Sequence, residues 1–203
     1  MDQQQINGGM SGMKKFSDNF ASYLKNEVVA THKSEHIRGH IYDMAGGSLL
    51  HARLSINALF AIKSTLPADR VFHIFNSDVM VLCPSVEAAV YPDVSVVTET
   101  IRTSEHKSNA LLNPTLVVEV LSDSTEGRDR GEKFAAYRSL ASFSEYVLIS
   151  QRQPQVDILQ KDPDGTWVFE SVTQLESAFA LRTTGGKIEM RQIYEGWEEL
   201  QGR

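Results

Sequence analysis

Residues 116–121 read LVVEVL, and this run constrains the chain more than any other. Near-continuous apolar character over a short stretch marks a strand covered on both faces, as at the centre of a layered α/β sheet. Glu119 breaks the run. A carboxylate in such a strand must be ion-paired, protonated or bound to a cation, because burying a bare charge is far too costly. An ion pair with a neighbouring Arg or Lys would satisfy an isolated Glu, so its partners elsewhere in the chain decide its meaning.

The surrounding pattern fits a mixed sheet flanked by helices. Ser17 is placed to cap a helix carrying Phe20, Tyr23, Leu24 and Val28 at helical spacing, and Ser48 to cap a second one running to about residue 64. Residues 35–45 look extended and close on the turn signal Gly46-Gly47. Residues 71–75 and 78–82 read as one strand or a bulged pair, and 92–97 as a further strand. A helix is expected over 127–140, another buried strand over 145–150, and a short helical piece over 193–200. Residues 155–160 and 165–170 should form an additional C-terminal β-hairpin through Pro163-Asp164-Gly165. Residues 1–16 are polar and Gly-containing and are expected as a flexible tail, which leaves 17–203 as a single domain.

Composition narrows the classes. Apolar residues make up 41% of the 203, enough for a core and too many for a disordered chain. No apolar run approaches the roughly 18 residues that span a bilayer. The amino terminus does not resemble a signal peptide. A lone Cys83 allows neither an internal disulfide nor an all-cysteine zinc site, in keeping with a cytoplasmic protein. A net charge of −6 argues against a broad nucleic-acid-binding surface, though not against an enzyme with a local groove.

Asp93 follows Pro92 at the entry to the strand before LVVEVL. Adjacent strands would bring it towards Glu119, and facing carboxylates repel unless a cation lies between them; Mg²⁺ or Mn²⁺ suits such hard donors. A Pro-Asp pair is also a common strand entry with a local backbone bond. Lys133 lies 14 residues beyond Glu119, on the helix leaving that strand, and can aim at the same carboxylates or pair with Asp129 in solvent. Tyr137 is one turn further on, more a packing ring than a reactive group. His51 sits near the start of the second helix, balanced between a site role and simple packing. His32, His36 and His40 have a metal-like spacing only if helical, and the pattern around Gly39 favours an extended segment instead. His73 and His106 look like surface residues. Arg128, Asp129 and Arg130 could touch phosphate, but a solvated charge run is the commoner outcome.

Pro92-Asp93, then Glu119-Val120-Leu121, then Lys133, together resemble the PD-(D/E)XK phosphodiesterases of the restriction-endonuclease-like superfamily. More narrowly, the chain is similar to the Uma-two family, a bacterial group described as "putative restriction endonucleases". The likeness rests on EHIRGHIYDMAGGS (35–48), His51, YPDVSVV (91–97), LVVEVLSDSTEGRDRGEKFAAY (116–137), EYVL (145–148) and IYEG (193–196). It implies a restriction-endonuclease-like fold and a metal-dependent endonuclease acting on DNA. Mg²⁺ or Mn²⁺ would be held by Asp93, Glu119 and the Val120 carbonyl; Lys133 would assist the attacking water, and His51 matches the family's helix histidine. Three positions depart from the pattern: Leu121 stands where the superfamily has its lysine, Asp123 where the family has proline, and His40 at a site often acidic in relatives. A noncatalytic binding or assembly module on the same fold is the rival reading, and a hydrolase of another substrate a third. Cutting both strands of a duplex would favour a homodimer.

Overall fold

The computed structural model describes residues 17–44, 46–107 and 109–201. The expected tail over 1–16 lies outside them. The expected mixed α/β architecture is present, built as two main sheets that meet around the LVVEVL strand.

The first sheet contains β1 (Ser34–Ile37), β2 (His40–Asp43), β4 (Met80–Cys83), β5 (Ala88–Val90) and β7 (Ala110–Leu111), in the order β2-β1-β5-β4-β7. The second contains β3 (His73–Asn76), β6 (Val94–Val97), β8 (Leu116–Leu121), β9 (Glu145–Ser150), β10 (Val156–Lys161) and β11 (Trp167–Val172), in the order β11-β10-β9-β8-β6-β3. β8 and β9 run parallel, whereas β6 meets β8 antiparallel, so the sheet is mixed. β10 and β11 are the expected C-terminal hairpin, and Gly165 takes φ +90° in its turn. A small third sheet pairs β12 (Ala178–Ala180) with β13 (Lys187–Glu189).

Residues 71–82 are neither one strand nor a bulged pair. β3 pairs with β6 and β4 with β5, in different sheets. The break is local: Asn76 Oδ1 accepts from Asp78 N–H at 3.2 Å and Asn76 C=O from Val79 N–H at 3.2 Å, which turns the chain away. β5, β7, β12 and β13 escape sequence reading because runs of two or three residues carry no period. The β1–β2 connection is a two-residue turn, Arg38-Gly39, with both residues at positive φ (51° and 82°), as tight hairpins require.

Helix α1 (Asp18–Val29) and helix α2 (Leu49–Thr65) start where their caps predict, with Ser17 Oγ accepting from Phe20 N–H and Ser48 Oγ from His51 N–H. α2 lies across β8, β6 and β3. Its Leu54, Ala58, Ala61 and Ile62 pack on Leu116, Val118 and Val120 of β8. The alternate residues Val117 and Leu121 face a separate core with Ala136, Tyr137 and Tyr146, which the first sheet's Val81 and Val90 also join. Glu119 belongs to this second face by the two-residue period of a strand. The C-terminal helical piece is two short turns, Met190–Ile193 and Trp197–Leu200.

The expected helix over 127–140 is real but irregular. Glu126–Arg128 and Phe134–Tyr137 are α-helical, and Asp129–Lys133 between them is wound as a π-helix. Such wide turns are rare and concentrate at functional sites.

Candidate active site

Pro92 delivers Asp93 to the start of β6, beside β8. The last β6–β8 pair at this end is Val94 with Val118, so Val120 has no backbone partner on the β6 side. Asp93 fills the gap, its Oδ2 accepting from Val120 N–H at 2.7 Å. In an extended residue the N–H and C=O leave the same edge of the strand, so the Val120 carbonyl faces the same gap. The other oxygen, Asp93 Oδ1, accepts from His51 Nε2 at 2.8 Å. Asp93 reaches the neighbouring strand as the sequence suggests, and His51 joins it instead of merely packing. Burial disfavours the charged imidazole, but the bond and charge of Asp93 outweigh it, and the His51 pKa is raised.

Glu119 Oε1 accepts from Lys133 Nζ at 3.2 Å and from Tyr137 O–H at 2.8 Å. Lys133 is therefore not the solvent-facing lysine that its spacing from Asp129 also allowed. It is 5% exposed and lies among three carboxylates: Glu119, Glu35 Oε1 at 2.9 Å and Asp129 Oδ1 at 3.3 Å. The π-turn spans residues 129–133, and both its end residues, Asp129 and Lys133, are buried. Asp129 thus corrects the expectation of a solvated charge run at 128–130; a widened turn is not visible as a change of period in the sequence.

Desolvation governs the electrostatics. Burial raises the Glu119 pKa well above the ordinary carboxylate value, with Lys133 pulling the other way, and raises Asp129 for the same reasons. Burial alone would lower Lys133, but Glu119, Glu35 and Asp129 override it and hold the ammonium charged. Tyr137 is pushed upward by burial and by Glu119 and stays a neutral donor.

Two further groups complete the surroundings. Glu35, which sequence reasoning did not single out, sits in β1 of the other sheet; its Oε1 also accepts from Tyr91 N–H at 2.9 Å. A glutamate in a short strand carries no signal until the strand is known to be covered. The Arg128 guanidinium lies 3.8 Å above the Tyr42 ring centroid and 3.8 Å from Glu35. Arg130 is taken up by Glu126 and Asp157. Asp123, the departure from the family's proline, pairs with Arg152.

The other candidates lie elsewhere. His36 is buried against Phe20 and Tyr23, and His40 is exposed on β2 beside Tyr42, so the extended hairpin separates the His32-His36-His40 series. The buried Cys83 thiol is pushed up to about 12 by desolvation and is not a nucleophile. Among the described residues, no three His, Cys, Asp or Glu side chains form a ready cage for a metal. A cation between Asp93 and Glu119 would have to complete its shell from backbone oxygen and water, which is the habit of Mg²⁺.

A mixed sheet that aligns a strand-entry aspartate, a buried strand glutamate and a lysine on the following helix defines a restriction-endonuclease-like α/β protein. The chain belongs to the Uma2 family, described as "Putative restriction endonuclease", whose model matches residues 20–190. It is 39% identical over 152 residues to "Uncharacterized protein sll1609" of Synechocystis, a match covering 73% of this chain and 84% of that one. It is 33% identical over 175 residues to "Uncharacterized protein slr1290" of the same organism, covering 86% and 90%. In fold it resembles the crystal structure of "a putative nuclease belonging to DUF820" from Anabaena variabilis, with TM-score 0.68 and 15% identity over 86% of this chain and 97% of that one. No helix among the described residues is long and apolar enough to cross a membrane.

Proposed function

We propose that the chain is a metal-dependent endonuclease hydrolysing DNA phosphodiester bonds, with Mg²⁺ or Mn²⁺ held by Asp93, Glu119 and the Val120 carbonyl. The observation that carries this reading is the bond from Val120 N–H to Asp93, which brings the carboxylate to the Glu119 strand just outside the β6–β8 pairing. These are hard oxygen donors of the kind Mg²⁺ and Mn²⁺ accept. When bound, the cation supplies polarisation of a phosphate oxygen and a lowered pKa for its water. Lys133, held charged by its three carboxylates, orients the attacking water and offers positive charge to the phosphate as negative charge develops. Tyr137 and Lys133 together fix one oxygen of Glu119. His51 holds Asp93 in place. The description of the family supports the same reaction class.

The test is incubation of supercoiled and branched DNA with the purified chain and Mg²⁺ or Mn²⁺. Nicking or linearisation that stops with chelator is expected, and sedimentation of the DNA complex should find two chains, one for each strand of a duplex. A folded chain that neither cuts nor gives heat with either metal would move the assignment to a noncatalytic binding module.

Arg128 supports DNA as the substrate. Its guanidinium is part-exposed, pre-positioned on Tyr42 and adjacent to the Lys133 cluster through Glu35. If it neutralises one phosphate, Arg128→Ala should reduce the slope of log binding constant against log salt by about 0.9, the counterion release for one contact on duplex DNA. An unchanged slope would exclude it from the interface.

A further inference from the structure

Gln151 follows β9 and is the only described side chain bonded at once to β8, to the cap of α2 and to His51. Its Nε2 donates to Leu121 C=O at 2.8 Å and stands 3.4 Å from His51 Nδ1. Its Oε1 accepts from Ser48 Oγ at 3.0 Å, the same hydroxyl oxygen that accepts from His51 N–H at 3.0 Å.

These contacts decide which end of the amide is which. A backbone carbonyl only accepts, so the group facing Leu121 must be the NH₂. The Ser48 hydroxyl uses its lone pair on the helix cap and sends its proton to Oε1. With both ends committed, the second amide hydrogen is directed at His51 Nδ1. That nitrogen must then present a lone pair, since a proton there would face another donor. The imidazole proton is left on Nε2, which donates to Asp93. The ring lies close to the backbone at Gly47, where an added Cβ would come to 3.0 Å from His51 Cδ2. Both ring nitrogens are engaged.

We infer that Gln151 is a positioning residue: together with Asp93 it holds the His51 ring in place with its proton on Nε2, so that His51 orients Asp93 and does not itself act as a base or a metal ligand. The consequence for metal binding rests on the proposed role of Asp93; the tautomer does not. Partners of this kind behind a ligand contribute roughly 10- to 100-fold in metal affinity.

The experiment is a long-range ¹H–¹⁵N spectrum of the ¹⁵N-labelled full chain at alkaline pH, with the His51 signals assigned by their loss in His51→Asn. A pyridine-type Nδ1 and a pyrrole-type Nε2 are expected. Gln151→Glu keeps the size but replaces the NH₂ with an acceptor, and should bring a proton to Nδ1 while Asp93 keeps the one on Nε2. Gln151→Leu leaves Asp93 to keep the proton on Nε2 but removes the second hold on the ring, and should weaken Mn²⁺ binding about 10-fold by calorimetry. Amide spectra overlaying those of the wild type would show that both variants are folded. A wild-type Nδ1 that already carries the proton, or a Gln151→Glu variant with unchanged ring shifts, overturns the inference. A wild type with the expected tautomer but no Mn²⁺ heat would leave the inference standing and remove the metal role of Asp93.

Discussion

Replacing Lys133 by methionine should lower the unfolding free energy by about 3–5 kcal/mol near neutral pH, the typical cost of removing one partner from a buried ionic cluster. Methionine fills similar space, so packing is largely kept and the loss is electrostatic. Glu35, Glu119 and Asp129 would then face one another with no ammonium between them. The pH dependence has a definite sign. Burial already raises Glu119 and Asp129 in the folded state, and without Lys133 both rise further. A carboxylate whose pKa is higher folded than unfolded binds more protons in the folded state. Stability therefore falls as pH climbs from the unfolded to the folded pKa. The variant should regain much of its deficit on acidification, as the carboxylates protonate. Urea unfolding of both proteins at neutral and mildly acid pH tests this. A deficit below about 1 kcal/mol, or one independent of pH, would mean that Lys133 does not offset the burial of Glu119 and Asp129.

Asp93→Ala should abolish metal-dependent cleavage while leaving the chain folded. Loss of a residue merely supporting a metal ligand costs roughly 10- to 100-fold, so loss of a ligand should cost at least about 100-fold. The variant also loses some stability. Val120 N–H loses its acceptor, at about 1–3 kcal/mol for a buried unpaired donor, and the part-exposed His51 Nε2 loses one that solvent can replace. Folded domains hold roughly 5–15 kcal/mol in reserve. The measurement is the initial rate of plasmid nicking for the two proteins at saturating Mg²⁺, with a thermal melt as the control for folding. A folded variant cutting within a few-fold of the wild type would remove Asp93 from the metal site.

How far the sequence anticipates this arrangement varies with the range of the interaction. Glu119 was readable because a charge in LVVEVL contradicts its surroundings, and the caps at Ser17 and Ser48 because their bonds close within one helical turn. Asp93 and Lys133 took meaning from the order of strand and helix. Glu35 was not singled out, since its partner is 98 residues away and the sheet burying it is made of strands of two to four residues. Asp129 misleads for another reason. Among Arg128, Arg130 and Glu132 it looks like an exposed run, and only the π-turn over 129–133 carries it inside. The division of residues 71–82 between two sheets depends on which neighbours β3 and β4 find, and that is not local information.

The bond between Glu35 and Lys133 joins a strand of one sheet to the helix packed on the other. Each sheet therefore carries only part of the charge cluster. A chain whose sheets had separated would keep Glu119 and Lys133 but lose one of the three acids around the ammonium, together with the Arg128 tether on Tyr42. Completion of the charge cluster is thereby linked to docking of the two sheets: a half-assembled molecule, newly made or partly unfolded, would present an incomplete set of charges.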